Sequence, residues 1–433
     1  VLTTAAFAAT ARAAPSPVTA PHGAESAPAV AFDPKRGRGL VVYQRDNRVF
    51  GRFVDATGVP TADAEITIFA EVHDYAGPAI VFKQPQNRFY VAASARDWLS
   101  FRDPATGPTR LPRPQGIAVA AFTDAGGRIG AGSVFLRTPA GVRRPVTGVP
   151  DLGEVSPSLA ANTAPDDASC VTVAWQDQSA PNYLFYQQLS SDLAPRASAA
   201  VLVSSGTTKF ENVSATFNAE ANRFAFAYDV CTGRRCQVGV SSFLAGSGSG
   251  LVRTTSPLVA PGIVDANGLR MPSIAFAGAA HRYVVSWAME KAAYARTLEH
   301  AGATAALAWV SPPTRLVRST GRVCTLGVGG RAIRCQAQAA GRPHVIALGD
   351  SRVAILAPST NNSPTVGVTA PVPYFGSWLF DAGSAAVSAH LELSGAHGIG
   401  AGAGTFVSTT GQVLAVWEQT LTPEKIWADA RSP

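Results

Sequence analysis

A short phrase recurs down the chain at a nearly regular spacing. "PAVAF" (28–32) is followed by Arg38 and "GLVVY" to Tyr43, and "PAIVF" (78–82) by Arg88 and "FYVAA" to Ala93. "VSATF" (213–217) leads to Arg223 and "FAFAY" to Tyr228, and "PSIAF" (272–276) to Arg282 and "YVVSW" to Trp287. In all four the Phe and the Arg stand six residues apart. A fifth copy pairs Phe406 with Gln412 and "VLAVW" to Trp417. Two copies are worn: "PSLAA" (157–161) leads by a longer loop to "CVTVAW" ending at Trp175, and Ile346 leads to Arg352 and "VAILA" ending at Ala357. The seven end points fall at 43, 93, 175, 228, 287, 357 and 417. Periods of this size that carry short strands belong to arrays of like units.

Each unit reads as four strands. "PAVAF" alternates small and large apolar residues, and "LVVY" is a continuous apolar run suited to a strand covered on both faces. A third element follows, such as "FGRFVDATG" (50–58) or "VAAFTDAGG" (119–127), and ends in Asp, Gly or Ser turn chemistry. A fourth apolar stretch closes the unit, as in "EITIFA" (65–70). The composition agrees: 40 Gly and 31 Pro punctuate 433 residues, with only 15 % charged and two Met. The fold class expected is all-β, a seven-bladed β-propeller of four-stranded antiparallel blades. A tandem of β-sandwiches is the rival and would lack the common spacing. The last copy stops at "KIWADARSP", its third strand, so residues of roughly 14–25 are expected to supply the fourth. Pairing the N- and C-terminal strands closes the ring and removes two open edges.

The phrase P-x-h-A-F, five residues, Arg, then h-h-V-h-W resembles the blade repeat of secreted bacterial seven-bladed β-propeller proteins. The resemblance covers the chain from about residue 25 onward and extends to the blade motif alone. It implies the fold and leaves the chemistry open, because one fold serves many functions. The Trp-Asp dipeptide of WD40 repeats is absent, as are the S-x-D-x-G-x-x-W boxes of sialidases, so no family active site is carried over.

Residues 1–14 read as a signal-peptide remnant or flexible leader, with Ala-x-Ala at 9–11 and 11–13 ahead of Pro15. Residues 15–433 read as a single propeller with inserts at 96–116 and 320–340. No apolar run of about 18 residues predicts a membrane-spanning helix. Of five Cys, Cys231 and Cys236 bracket a hairpin-sized loop, and Cys324 and Cys335 bracket ten residues. Two local disulfides suit an exported protein. Convergence of the four on zinc is the alternative, at spacings that do not match zinc knuckles. Cys170 remains as a buried thiol. The formal charge of +7 favours an acidic partner or reflects scattered Arg, and the densest basic stretches are "GVRRPV" (141–146) and "TGRRC" (232–236). No nucleic-acid partner is expected.

Candidate site residues follow from where propeller loops gather around the channel. After second strands come Asp46, Asp97, Trp98, Asp177, Asp229, Glu290 and Glu418 as ligand-binding candidates. Acids around a channel suit Ca2+ or sugar hydroxyls, with Trp98 as a stacking platform; the bland reading is that loops are polar because they face water. No cofactor is required, with Ca2+ in the channel as an option. The recurring Arg residues read as structural, bonding carbonyls in the turn between the first two strands. The recurring Tyr and Trp residues read as packing between blades. The seven His are scattered, and neither H-E-x-x-H nor G-x-S-x-G occurs. "GSGSG" (246–250) and "GIGAGAG" (398–404) read as flexible turns.

The expected function is an exported, monomeric, non-catalytic binding protein at the cell surface or outside the cell, taking a glycan or protein on the channel face. One alternative is an extracellular polysaccharide lyase or glycoside hydrolase; His73, Tyr75 and Arg270 are its catalytic candidates as a lyase. The other is a self-assembling surface scaffold.

Overall fold

The computed structural model describes residues 15–19, 25–70, 72, 77–84, 86–96, 115–136, 154–163, 171–177, 182–196, 199–233, 235–246, 252–253, 271–289, 292–301, 306–318, 322–326, 332–337, 342–361, 372–393, 399–419 and 425–432. Seven antiparallel blades form a ring. Their innermost strands are Glu25–Asp33, Ala79–Lys83, Glu154–Ala161, Lys209–Asn218, Ser273–Ala277, His344–Ala347 and Ile399–Val407. Their second strands are Arg38–Arg45, Arg88–Arg96, Val171–Asp177, Arg223–Thr232, Arg282–Met289, Arg352–Asn361 and Gln412–Gln419. The written repeat is therefore the inner hairpin of each blade. In blade 5 the outer edge is shared by Ala306–Trp309 and Thr314–Arg318, both paired to Ala292–Ala301.

Ring closure follows the expectation. Ser16 and Pro17 pair with Ala428 and Trp427 on the outer side of Lys425–Arg431. The Val18 amide continues the pairing to the Ile426 carbonyl at 2.8 Å. Thr19 then turns inward: its hydroxyl donates to the buried Glu25 carboxylate and accepts the Ile426 amide at 3.3 Å. Blade 7 is thus built from both ends of the chain, and its outer edge is covered.

The recurring aromatic residues pack between blades, because a flat blade must bury both faces against its neighbours. Trp175 of blade 3 is fully buried among Tyr90, Ile117 and Val119 of blade 2. Tyr228 packs on Ala174 and Leu184 of blade 3, Trp287 on Ala225 and Val238 of blade 4, and Trp417 on Leu356 and Phe375 of blade 6. Tyr43 packs on Val416 and Ile426 of blade 7.

The recurring Arg residues are structural, but they act one turn away from where the sequence suggested. Arg88 donates to the Ser191 carbonyl at 2.8 Å, and Arg282 to those of Ala382 and Gly383 at 3.0 and 2.8 Å. Arg38 reaches the Asp124 carbonyl in the same way. Each acceptor lies in the turn between the third and fourth strands of the next blade in space along that face. Arg223 and Arg352 stay within their own blades, on Ser242 and Asp350. "GIGAGAG" also differs from expectation, since it enters the inner strand of blade 7. A Cβ on Gly402 would lie 2.4 Å from the Phe375 ring, and one on Gly404 would lie 2.5 Å from Leu356. The glycines there admit blade 6 side chains and are not turn residues.

Cys231 and Cys236 form a disulfide across the blade 4 hairpin. Arg322–Leu326 and Ala332–Ala337 make a separate two-stranded hairpin within the expected 320–340 insert, and its register sets Cys324 opposite Cys335. Cys170 lies outside the described residues.

Candidate functional site

The inner strands enclose a central channel of about 700 Å³. Each inner strand begins on the face where the second strands end, and this face is the mouth. On the opposite face the connections between first and second strands are short in most blades, that of blade 3 at 162–170 being longer, and two of them are shaped by local acceptors. Asp33 Oδ1 takes the Lys35 amide at 2.9 Å, and Asn218 Oδ1 takes those of Glu220 and Ala221, both at 3.0 Å. Among the connections at the mouth are the stapled hairpin at 231–236 and the paired strands Arg322–Leu326 and Ala332–Ala337, while the opposite face also carries a long connection at 56–65.

The inner strands enter through a repeated bulge. The register slips between Ser26 and Ala29, between Val155 and Ser158, between Glu211 and Ser214, and between Ile399 and Gly402. Ala27, Asn212 and Met271 occupy this position with φ of 50°, 52° and 48°. An amide turned out of the ladder needs another acceptor. Glu418 Oε2 accepts the Ala27 amide at 3.3 Å, across the seam from blade 7 to blade 1. Asp229 Oδ2 accepts the Met271 amide at 3.2 Å from blade 5, and the Asn212 side-chain amide at 2.8 Å.

These bonds place several of the predicted ligand-binding residues. Asp229 and Asp177 are fully buried, and Asp229 and Glu418 tie one blade to the next. Asp46 is an exposed turn residue: Asp46 and Asn47, with φ of 49° and 59°, join Arg45 to Arg48. Such two-residue turns select Asp and Asn for their tolerance of positive φ. Asp97, Trp98 and Glu290, and the catalytic candidates His73, Tyr75 and Arg270, lie outside the described residues. Among the described residues, no three His, Cys, Asp or Glu side chains converge as cation ligands.

One ring of positions faces the channel just past the bulge, opposite the residue that precedes the recurring aromatic. It holds Ala29, Ala79, Ser158, Ser214, Ser273, His344 and Ala403. The serines link blades. Ser158 Oγ accepts the Ala215 amide at 2.9 Å, Ser214 Oγ that of Ile274 at 3.3 Å, and Ser273 Oγ that of Val345 at 3.0 Å. His344 continues the series in blade 6, with Nε2 3.0 Å from the Gly404 carbonyl of blade 7. A carbonyl only accepts, so the ring carries its proton on Nε2 and leaves Nδ1 as an acceptor. Burial first, and the Arg342 charge second, lower the His344 pKa to about 4.

Arg342 is a charged channel residue that the sequence reading missed. It stands two places before His344, where the other blades carry Ala27, Gly77, Asn212 or Met271, and it alone there is charged. It lines the channel and is exposed there. One Nη2 donates to the Val213 carbonyl of blade 4 at 3.1 Å, past the intervening blade 5. No carboxylate among the described residues pairs with it directly. Burial lowers its pKa, and the Asp229 charge opposes that shift. The signal was present as "RPHVIA" beside "MPSIAF", but the worn blade 6 motif hid the alignment.

Fold and channel together define a closed seven-bladed propeller around a central channel. No family model matches the chain, and no curated protein is significantly similar to it. Among solved structures it is similar to the Hadza microbial sialidase Hz136 at 12 % identity and a TM-score of 0.48, over 91 % of this chain and 76 % of that one. The Swd1 β-propeller domain of Myceliophteria thermophila gives 10 % and 0.46, over 92 % and 95 %. A Trypanosoma rangeli sialidase gives 11 % and 0.44, with 94 % of this chain matched to 55 % of that one. Similarity at this level carries no inference about activity, which rests on the residues of this chain.

Proposed function

We propose that the protein is an exported, non-catalytic binding propeller that takes a glycan at the channel mouth. The observation that carries this reading is the lining of the channel. Its described residues include Ser, Thr, Asn, His and Arg donors and acceptors but no Asp or Glu. A glycoside hydrolase of the usual kind needs two carboxyl groups facing the bond, roughly 5–9 Å apart. A disulfide supports export, because such bonds persist in oxidising compartments. The stapled hairpin at the mouth supports a binding role, since recognition concentrates on loops held by a rigid scaffold.

A second reading, elimination from a uronate-containing chain, has one observation in its favour. His344, whose Nδ1 has no partner among the described residues, stands two residues from Arg342, which could neutralise the acid. A base with a pKa of about 4 is deprotonated at neutral pH but weak, which favours binding over proton abstraction. The test is an incubation with neutral and acidic polysaccharides that follows polymer size, unsaturated-product absorbance and retention on immobilised protein. Retention with unchanged polymers is the expected result. Shortening beyond a heat-treated control overturns the non-catalytic reading, and absence of retention overturns the glycan.

A further inference from the structure

We propose that Arg342 receives a carboxylate, so that the ligand of the channel mouth is an acidic saccharide; this rests on the glycan-binding reading above. A guanidinium held on the channel wall and open to the channel is placed to meet an anion that enters it. Arg342 spends one donor on the Val213 carbonyl, which fixes the side chain across the mouth. Its remaining N–H groups have no partner among the described residues and face the channel. The nearest acid acting on it, Asp229, is committed to the Met271 amide and the Asn212 side chain. The site thus has a positive charge held in place, with the local carboxylate turned to structural bonds.

The planar fork of Arg matches a carboxylate through two parallel hydrogen bonds. The channel around it supplies what a sugar ring needs. Asn212 lines it near the mouth, and His344 Nδ1 offers an acceptor for a hydroxyl. A cavity of about 700 Å³ admits the end of a saccharide chain and excludes a folded protein surface. The acidic group would enter first, against Arg342.

The experiment titrates the full chain with a uronic-acid oligosaccharide and with its carboxyl-reduced counterpart, which differs only in carrying CH2OH in place of the acid. Wild type and Arg342→Gln are compared by calorimetry, with Arg342→Lys as a variant that keeps charge without the fork. The expected result is a loss of about 10- to 100-fold on reducing the ligand and a loss of the same size for Arg342→Gln with the acidic ligand. The reduced ligand should bind wild type and Arg342→Gln alike, and Arg342→Lys should fall between. Equal binding of acidic and reduced ligands to wild type overturns the proposal without recourse to any variant, and leaves the glycan reading standing. Unchanged binding of the acid by Arg342→Gln also overturns it. An acidic peptide that competes as well as the oligosaccharide overturns the saccharide class, and no binding of either oligosaccharide overturns both this proposal and the reading beneath it.

Discussion

His344 should make the propeller sensitive to acid in a way that one substitution removes. The ring is neutral in the channel wall, held by the Gly404 carbonyl on one side and facing the Arg342 charge. Its pKa falls from the ordinary 6.5 to about 4, chiefly because burial penalises the imidazolium. Between those values the unfolded chain binds a proton that the folded chain refuses. The stabilising contribution is therefore complete above pH 6.5 and is lost as pH falls toward 4. At 1.36 kcal/mol per pH unit, the loss from pH 7.5 to pH 5 is at most about 2 kcal/mol, and the full loss near pH 4 about 3 kcal/mol. Exposure of the ring to the channel works toward the lower side of both figures. His344→Ser places there the residue that blades 3, 4 and 5 already carry as Ser158, Ser214 and Ser273. The assay is chemical denaturation of both proteins at pH 7.5 and pH 5, read as the difference of differences so that other titrating groups cancel. Wild type should lose more than the variant by up to the stated amount. Parallel losses in the two proteins, or a His344 ring that titrates near 6.5 by NMR, would refute the reasoning.

Asp229→Ala should destabilise by about 2–3 kcal/mol, because it removes a buried acceptor from the Met271 amide and from Asn212. Ser214→Ala, which removes only the bond to the Ile274 amide, should cost about 1 kcal/mol, and equal costs in denaturation experiments would contradict the assigned roles. A chain beginning at residue 20 lacks Ser16–Pro17 and leaves the Lys425–Arg431 edge open. It should melt lower and associate on size-exclusion chromatography, whereas an unaltered monomer would show that closure does not protect that edge. Paired Cys231→Ser and Cys236→Ser substitutions should lower stability by about 2 kcal/mol under oxidising conditions, since the bridge closes a short loop. No difference from the reduced wild type is expected.

The inner hairpins were legible because they obey local rules. Alternation marks the first strand, a continuous apolar run marks the second, and a fixed offset to Arg marks the turn. The blade interfaces were legible for a related reason: an aromatic that recurs at one position in "LVVY" and "YVVSW" must meet the same kind of neighbour each time. The recurring Arg was rightly read as structural, yet its acceptors at Ser191, Ala382 and Gly383 lie in another blade. Sequence spacing cannot report which blade stands alongside. Glycines at 402 and 404 were misread for the same reason, because the Phe375 ring and the Leu356 side chain that need their space come from the neighbouring blade.

The acids show the division most clearly. Asp229 and Glu418 could be placed at the ends of second strands from their position in the repeat alone. Their bonds to Met271 and Ala27 depend on a backbone bulge in the following blade, which only the packed ring creates. Arg342 shows the converse. In sequence it is one Arg in a worn repeat; in the ring it crosses from blade 6 to the Val213 carbonyl of blade 4, 129 residues away, and becomes the charge at the mouth. The sequence by itself determined the repeat, the strands and the closure, since each is set by short-range periodicity and by the number of units. The tertiary structure alone decided which side chains meet at the channel, since curvature of the closed ring brings together residues that no local pattern connects.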